Sequence, residues 1–277
     1  SGDSADFNFK STEGHFTVNE VYGELLVPLL SNAPGARDLE ASIAGRYVDY
    51  STFGSNFTYK LGARWTPISD LTVRGTWSTA FRAPTIGELY LGQSETAPTV
   101  TDPCNFSATT PQELRDQCLA TGVPAGGSGD QGNQELTRVG GNARLKAETA
   151  QILTAGVVLQ PSFDRNLTVT VDYYRTTVDD VVGTLGTATI LAGCYPGAAG
   201  AQNQAHRNLI TRASTSGRIL YVTDVNQNLG KLETAGVDFA VSYLYPTRIG
   251  RFRLRVDGTW LSYYDRTQPS GSGSLTV

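Results

Sequence analysis

Apolar and polar residues swap at every second position through most of the chain, the period expected of strands with two unlike faces. The cleanest case runs from Arg251 to Tyr264. Phe252, Leu254, Val256 and Trp260 fall on one face with Gly258 between them, and Arg251, Arg253, Arg255, Asp257 and Thr259 on the other. From Leu71 to Phe81, Leu71, Val73 and Trp77 oppose Thr72, Arg74, Thr76 and Ser78. From Leu167, Leu167, Val169, Val171 and Tyr173 oppose Thr168, Thr170 and Asp172. Segments starting at Leu39, Phe57 and Ala235 repeat the pattern, and segments 16–30 and 149–160 follow it less cleanly. The pattern thus predicts eight strands of about 10–15 residues. Strands of soluble proteins run to about 5–6, whereas a tilted strand needs about 9–11 to cross a bilayer.

The connections sharpen this reading. Four are short, at Ser31–Arg37, Pro67–Asp70, Pro161–Arg165 and Pro246–Gly250, and each carries Pro. They alternate in position with longer ones, about 82–148 and about 180–228, the tight turn at Ser51–Asn56 being the exception. Outer-membrane barrels have tight turns on one side and long loops on the other, while a compact soluble domain rarely holds unstructured loops of this length. The tract Gly126–Gly132 is expected to be flexible. Aromatic residues gather towards strand ends (Trp65, Phe81, Tyr173, Tyr174, Tyr243, Tyr245, Trp260, Tyr263 and Tyr264), as at membrane interfaces, although β-propensity alone also favours them.

Composition narrows the field. The 277 residues carry 22 basic and 26 acidic side chains, a net charge of -4, which gives no basic footprint for nucleic acid. With 39% hydrophobic and 17% charged residues, the chain is not disordered over most of its length. No apolar run approaches the ~18–20 residues of a membrane helix, a test that transmembrane barrels escape because their strands alternate. No Met occurs at any position, so the chain is expected to be a piece of a longer protein. Cys104 and Cys118, with thirteen residues between them, are read as a disulfide in an oxidising compartment, with two unrelated free thiols as the alternative. Cys194 is left over. Only His15 and His206 accompany these thiols and no CxxC pair occurs, so no metal site or cofactor is expected. No HExxH, GxSxG, phosphate-binding loop or dinucleotide fingerprint is present, and the chain reads as something other than an enzyme.

Five blocks in order resemble the TonB-dependent receptor family. LTVRGTWSTAFRAPTIGELY (71–90), with FRAP at Phe81–Pro84, is similar to the family's strand-and-exit signature, and NARLKAETAQILTAGVVLQP (142–161) to its N-x-x-L-K-x-E return. LTVTVDYYRTTVDDVV (167–182), NLGKLETAGVDFAVSY (228–243) and VNEVYGELLVPLL (18–30) resemble neighbouring strands. The resemblance implies an antiparallel transmembrane β-barrel of twenty-two strands plugged by an N-terminal domain, of which residues 1–277 would be a partial barrel with the plug and final strands absent. It implies uptake of a scarce nutrient (iron–siderophore, haem, cobalamin or carbohydrate) across a Gram-negative outer membrane. The TonB complex would be engaged through the missing plug, and lipid and lipopolysaccharide would surround the wall. The tail GSGSLTV is read as loop. Relatives often carry a second loop disulfide near an I-T-R like Ile210–Arg212, and Cys194 has no visible partner for one.

In that setting Arg46, Lys60, Arg64, Arg74, Asp172, Asp238, Arg253, Arg255 and Asp257, along with Glu20, Glu24 and Glu40, would face the lumen. Their simplest role is to suit a wet interior, and ligand passage or plug docking is the functional alternative. Arg82 and Tyr90 are loop candidates for ligand contact, although Arg82 within FRAP reads better as structural. The rival to the transporter is a soluble or surface all-β module that binds a ligand or carbohydrate. It requires the Leu, Val and Trp faces to seal against a second sheet. A barrel excerpt with two unpaired edges is expected to aggregate when expressed alone.

Overall fold

Each of the eight alternating segments forms a strand in the computed structural model, which describes residues 11–130, 132, 134–197, 203–270 and 273–276, with side chains as far as Thr267. Residues 1–10 of the expected barrel span lie outside the described residues. The elements are β1 (Val18–Ala33), β2 (Ala36–Tyr50), β3 (Gly54–Ile68), β4 (Leu71–Arg82), α1 (Ile86–Tyr90), β5 (Ser94–Thr96), α2 (Gln112–Leu119), β6 (Thr137–Gly140) and β7 (Glu148–Leu159). They continue with β8 (Leu167–Gly183), α3 (Thr187–Cys194), α4 (Gln204–Arg207), β9 (Ile210–Arg212), β10 (Ile219–Val225), β11 (Gln227–Thr247), β12 (Gly250–Ser270) and β13 (Gly273–Thr276).

The long strands make one antiparallel sheet in the order β1-β2-β3-β4-β7-β8-β11-β12-β13, and the sheet does not close on itself. The tail read as loop is in part a strand: β13 pairs with β12 from Thr267↔Thr276 to Ser270↔Gly273. Its remaining residues, 271, 272 and 277, lie outside the described residues.

Register carries the alternation of each strand across the whole sheet. One row joins Leu30, Leu39, Trp65, Val73, Val157, Val171 and Phe239 to Gly258, each opposite the next on the neighbouring strand. A parallel row joins Leu25, Ile43, Leu61, Trp77 and Leu153. These residues pack sideways on one another, and among the described residues no second sheet covers them. Trp77 is 44% exposed, Leu254 68% and Trp260 64%. Val171 is also exposed, while Val73 and Val169 are half-buried between strand neighbours. An apolar face this broad far exceeds the patches that soluble monomers tolerate. The sealed core that the soluble alternative needs is not formed. At the short-turn end, the Trp65 indole donates to the Gly35 carbonyl at 2.9 Å, which places its polar edge at the rim.

The long connections are not unstructured. Segments 83–147 and 184–226 fold onto each other as a cap. β5 and β6 from the first join β10 and β9 from the second in one four-stranded sheet, with β10 parallel to β6. The cap has its own core, in which Cys104, Cys118 and Val123 meet Ile190, Leu191, Cys194, Tyr195, Ile219 and Val222. The tract expected to be flexible is part of this packing as far as it is described. Ser128 and Asp130 are buried, and Gly127, at φ +88°, sits where a Cβ would lie 2.9 Å from the Cys104 carbonyl oxygen. Gly127 supplies both a left-handed conformation and close approach here, and Gly129, at φ +60°, supplies a second left-handed conformation.

Candidate functional site

The polar face of the sheet is built by the same register. Glu40, Arg64, Arg74, Gly156, Asp172, Asp238 and Thr259 stand opposite one another in a single row across seven strands. The row sets two arginines side by side and then two aspartates, an arrangement that repels if each points straight out. Each side chain resolves this by turning away from its like neighbour. Arg64 reaches back to Glu40 at 2.6 Å and Asp38 at 2.7 Å. Arg74 reaches forward to Asp172, in two bonds of 3.0 and 2.7 Å. Asp238 accepts from the Thr259 hydroxyl at 2.6 Å. Arg74 and Asp172 lie two strands apart, and they can meet only because Gly156 stands between them. A Cβ there would fall 1.9 Å from Asp172 Oδ1.

All twelve residues expected to face a lumen lie on this polar face. Arg46 pairs with Glu20. Lys60 lines a depression with Glu20, Glu24 and Arg46. Arg74, Asp172, Asp238, Arg255, Asp257 and Thr259 line a second one. Arg255 bonds Asp257 two residues along its own strand. Arg253 is exposed opposite Leu244.

Where the strands meet the cap, the motif residues form a polar collar. Arg82, in FRAP, donates to both oxygens of Glu148 at 2.8 and 2.6 Å and to both of Glu88 at 3.0 and 2.9 Å. Glu148 also accepts the Val182 amide at 2.8 Å, so one carboxylate ties β4, β7 and β8. Glu88 and Thr85 complete a reciprocal cap at the start of α1. Asn142 donates to the Asn226 carbonyl at 2.8 Å, and Asn228 donates to the carbonyls of Lys146 and Asp180 at 3.0 and 2.8 Å. The Arg82 donors are committed to this junction. Tyr90, at the end of α1, is half-exposed with its ring over Gly14.

Within the cap the structure joins Cys104 and Cys118, with Cα atoms 5.7 Å apart. The bridge sits beside a buried ion pair. Asp102 accepts two bonds of 2.7 Å from Arg212 and one of 3.0 Å from the Cys104 amide. Arg212 also donates to Tyr195 Oη at 2.9 Å and to the Gly217 carbonyl at 2.7 Å. Burial alone would raise the Asp102 pKa, but the Arg212 bonds and charge hold it below the ordinary carboxylate range. Nearby, Asp130 pairs with Arg218 at 3.2 Å. Glu135 is 2% exposed and one of its oxygens, Oε1, has no hydrogen-bond partner. Burial first, and then the charges of Asp130 and Asp102, push its pKa up to about 7.

Cys194 is a buried free thiol, its pKa raised by burial. His206 is buried against Gly193, and its Nδ1 is unpartnered. Among the described residues no group of three or more metal-binding side chains converges. The Asp102–Arg212 pair was not legible in sequence, since its members lie 110 residues apart and neither belongs to a spacing with chemical meaning. The only signal was Arg212 within the I-T-R already singled out beside the family's second bridge.

The comparisons with known proteins agree with this geometry. The family model described as TonB dependent receptor-like, beta-barrel, matches residues 1–276. No curated protein matches the chain. Among solved structures, the siderophore receptor PirA from Acinetobacter baumannii is similar with a TM-score of 0.54 at 15% identity, over 89% of this chain and 28% of that one. The ferric enterobactin receptor PfeA from Pseudomonas aeruginosa is similar with a TM-score of 0.54 at 13% identity, over 91% and 30%. At such identity the likeness shows a shared fold. The chain spans less than a third of the length of these two structures.

Proposed function

The chain belongs to the TonB-dependent receptor family, and from that premise we propose that it forms part of the wall and outer cap of an active transporter in a Gram-negative outer membrane. One observation carries the reading: a single sheet presents exposed apolar rows on one face and an ion-paired row on the other. A lipid-facing surface and a wet lumen ask for that pair of faces. On this reading Leu254, Trp260, Trp77 and Val171 meet lipid, with lipopolysaccharide at the outer rim. Arg46, Lys60, Arg64, Arg74, Asp172, Asp238, Arg253, Arg255 and Asp257 face the lumen, where they suit water, a passing ligand or a plug. The plug and the contact with the TonB complex belong to other parts of the polypeptide. Arg82 serves the collar, which leaves Tyr90 as the loop candidate for ligand contact.

The cargo is a scarce nutrient drawn from siderophore-iron, haem, cobalamin or carbohydrate. Siderophore-iron is the first to test, because the two solved proteins above are receptors for such compounds. The family's members are transport receptors rather than enzymes. The test deletes the full-length gene and measures growth on each nutrient as sole source, with and without the TonB complex. We expect one source to fail in the deletion strain, to be restored by the intact gene and to need TonB. Unchanged growth on all four sources, or recovery of the full-length protein outside the membrane fraction, would overturn the proposal.

A further inference from the structure

Glu135 lies at the root of β6, the strand that staples the two long connections together: β6 pairs with β5 from the first and with β10 from the second. Its backbone is engaged, with the amide on the Pro98 carbonyl at 3.3 Å and the carbonyl accepting from Thr137 Oγ1 at 3.2 Å. One oxygen of its carboxyl, Oε1, is buried without a partner. Four charged groups face it from the surrounding segments. Asp102 precedes the disulfide, Asp130 ends the glycine-rich tract, Arg212 is on β9 and Arg218 precedes β10. Both guanidiniums are already engaged, Arg212 by Asp102 and Arg218 by Asp130. An ionised Glu135 would therefore be a third buried carboxylate among two arginines, a charge without compensation.

We propose that Glu135 is a proton-operated latch of the cap: the neutral carboxyl keeps β6 docked between the two connections, and release of its proton to water loosens them. The device goes beyond transport and does not rest on it. Its direction follows from linkage. The folded pKa lies above the ordinary glutamate value of 4.5, so the closed cap is fully favoured below that value. The advantage is lost as pH rises through about 7. Acidic surroundings would hold the cap shut, and alkaline ones would relax it.

Cys194 offers a reporter, because it is buried in the cap core and reacts only when the cap opens. In the full-length receptor, without reductant, the rate of Cys194 alkylation by an uncharged maleimide would be followed by mass spectrometry of its peptide. Wild type and Glu135→Gln would be compared at each pH, so that the thiol's own titration cancels. We expect the wild-type-to-variant ratio to rise by roughly tenfold or more between about pH 5.5 and about pH 8, then level off. A ratio that does not change with pH overturns the proposal. Should Glu135→Gln fail to fold, Asp130→Asn gives the second arm. Removing that like charge is expected to move the wild-type rise to lower pH, and an unmoved profile overturns the proposal equally.

Discussion

Two arginine–aspartate pairs in this molecule have nearly the same geometry and opposite surroundings. Arg74 and Asp172, in the wall, are joined by bonds of 3.0 and 2.7 Å with side chains 49% and 26% exposed. Arg212 and Asp102, in the cap, are joined by two bonds of 2.7 Å with side chains 8% and 0% exposed. The first pair is bathed on one side and owes its geometry to Gly156. The second is sealed, and it is tolerated because Tyr195, Gly217 and the Cys104 amide satisfy the remaining donors and acceptors. The same contrast runs through the apolar residues. The wall turns its Leu and Trp side chains outward, while the cap gathers Ile190, Leu191 and the disulfide inward. Wall and cap thus expose opposite characters: the wall leaves a broad apolar face uncovered and the cap buries its apolar residues.

The largest effect that would test this comparison is expected from Arg212→Ala. It strands the Asp102 charge in the cap and should cost about 3–5 kcal/mol of local stability, read by native-state hydrogen exchange of the cap peptides. Wall peptides should keep their protection, and if they lose it as well, cap and wall are one cooperative unit. Leu254→Arg should cost about 2–4 kcal/mol in a membrane, read as a lower yield of the heat-modifiable folded form. Thr168→Arg on the polar face should change stability by less than about 0.5 kcal/mol. If both are tolerated, the outward face is not in lipid. Replacing Cys104 and Cys118 together by Ser should cost about 2–4 kcal/mol, confined to the cap, by the same exchange measurement.

The smallest effects belong to the exposed ion pairs. Arg74→Ala should cost less than about 1 kcal/mol, since water screens that pair. Asp70 ties the turn before β4 to the turn before β8. It accepts from the Ser162 amide, from Ser69 and from Arg165. The Ser162 amide bond is the main cause of its pKa falling to about 2. Because the folded value is depressed, its contribution is present above the ordinary value of 3.8 and lost as pH falls towards about 2. Exchange protection of the Ser162 amide should hold from neutral pH to about pH 4 and fade below that, and Asp70→Asn should remove the dependence.

The strands of the wall were legible because a period of two needs no partner to be read. Phe252, Leu254 and Val256 announce one face and Arg251, Arg253 and Arg255 the other. The collar was half legible: FRAP and NARLKAE marked the junction, but nothing in them said that Arg82 would meet Glu148 and Glu88. The cap was misread as loose loop. Three of its four strands have only three or four residues, too brief for alternation to register. Its glycines resembled a linker, although Gly127 packs against the backbone of Cys104.

What the sequence determined by itself is which residues share a face, since alternation is a property of a single strand and survives whatever lies beside it. Tertiary structure alone decided which charges meet. Arg74 finds Asp172 only because register sets Gly156 between them, and Arg212 finds Asp102 only because two distant connections share one core. Pairing across strands and between loops depends on long-range register and packing, and the order of residues along a chain does not carry either.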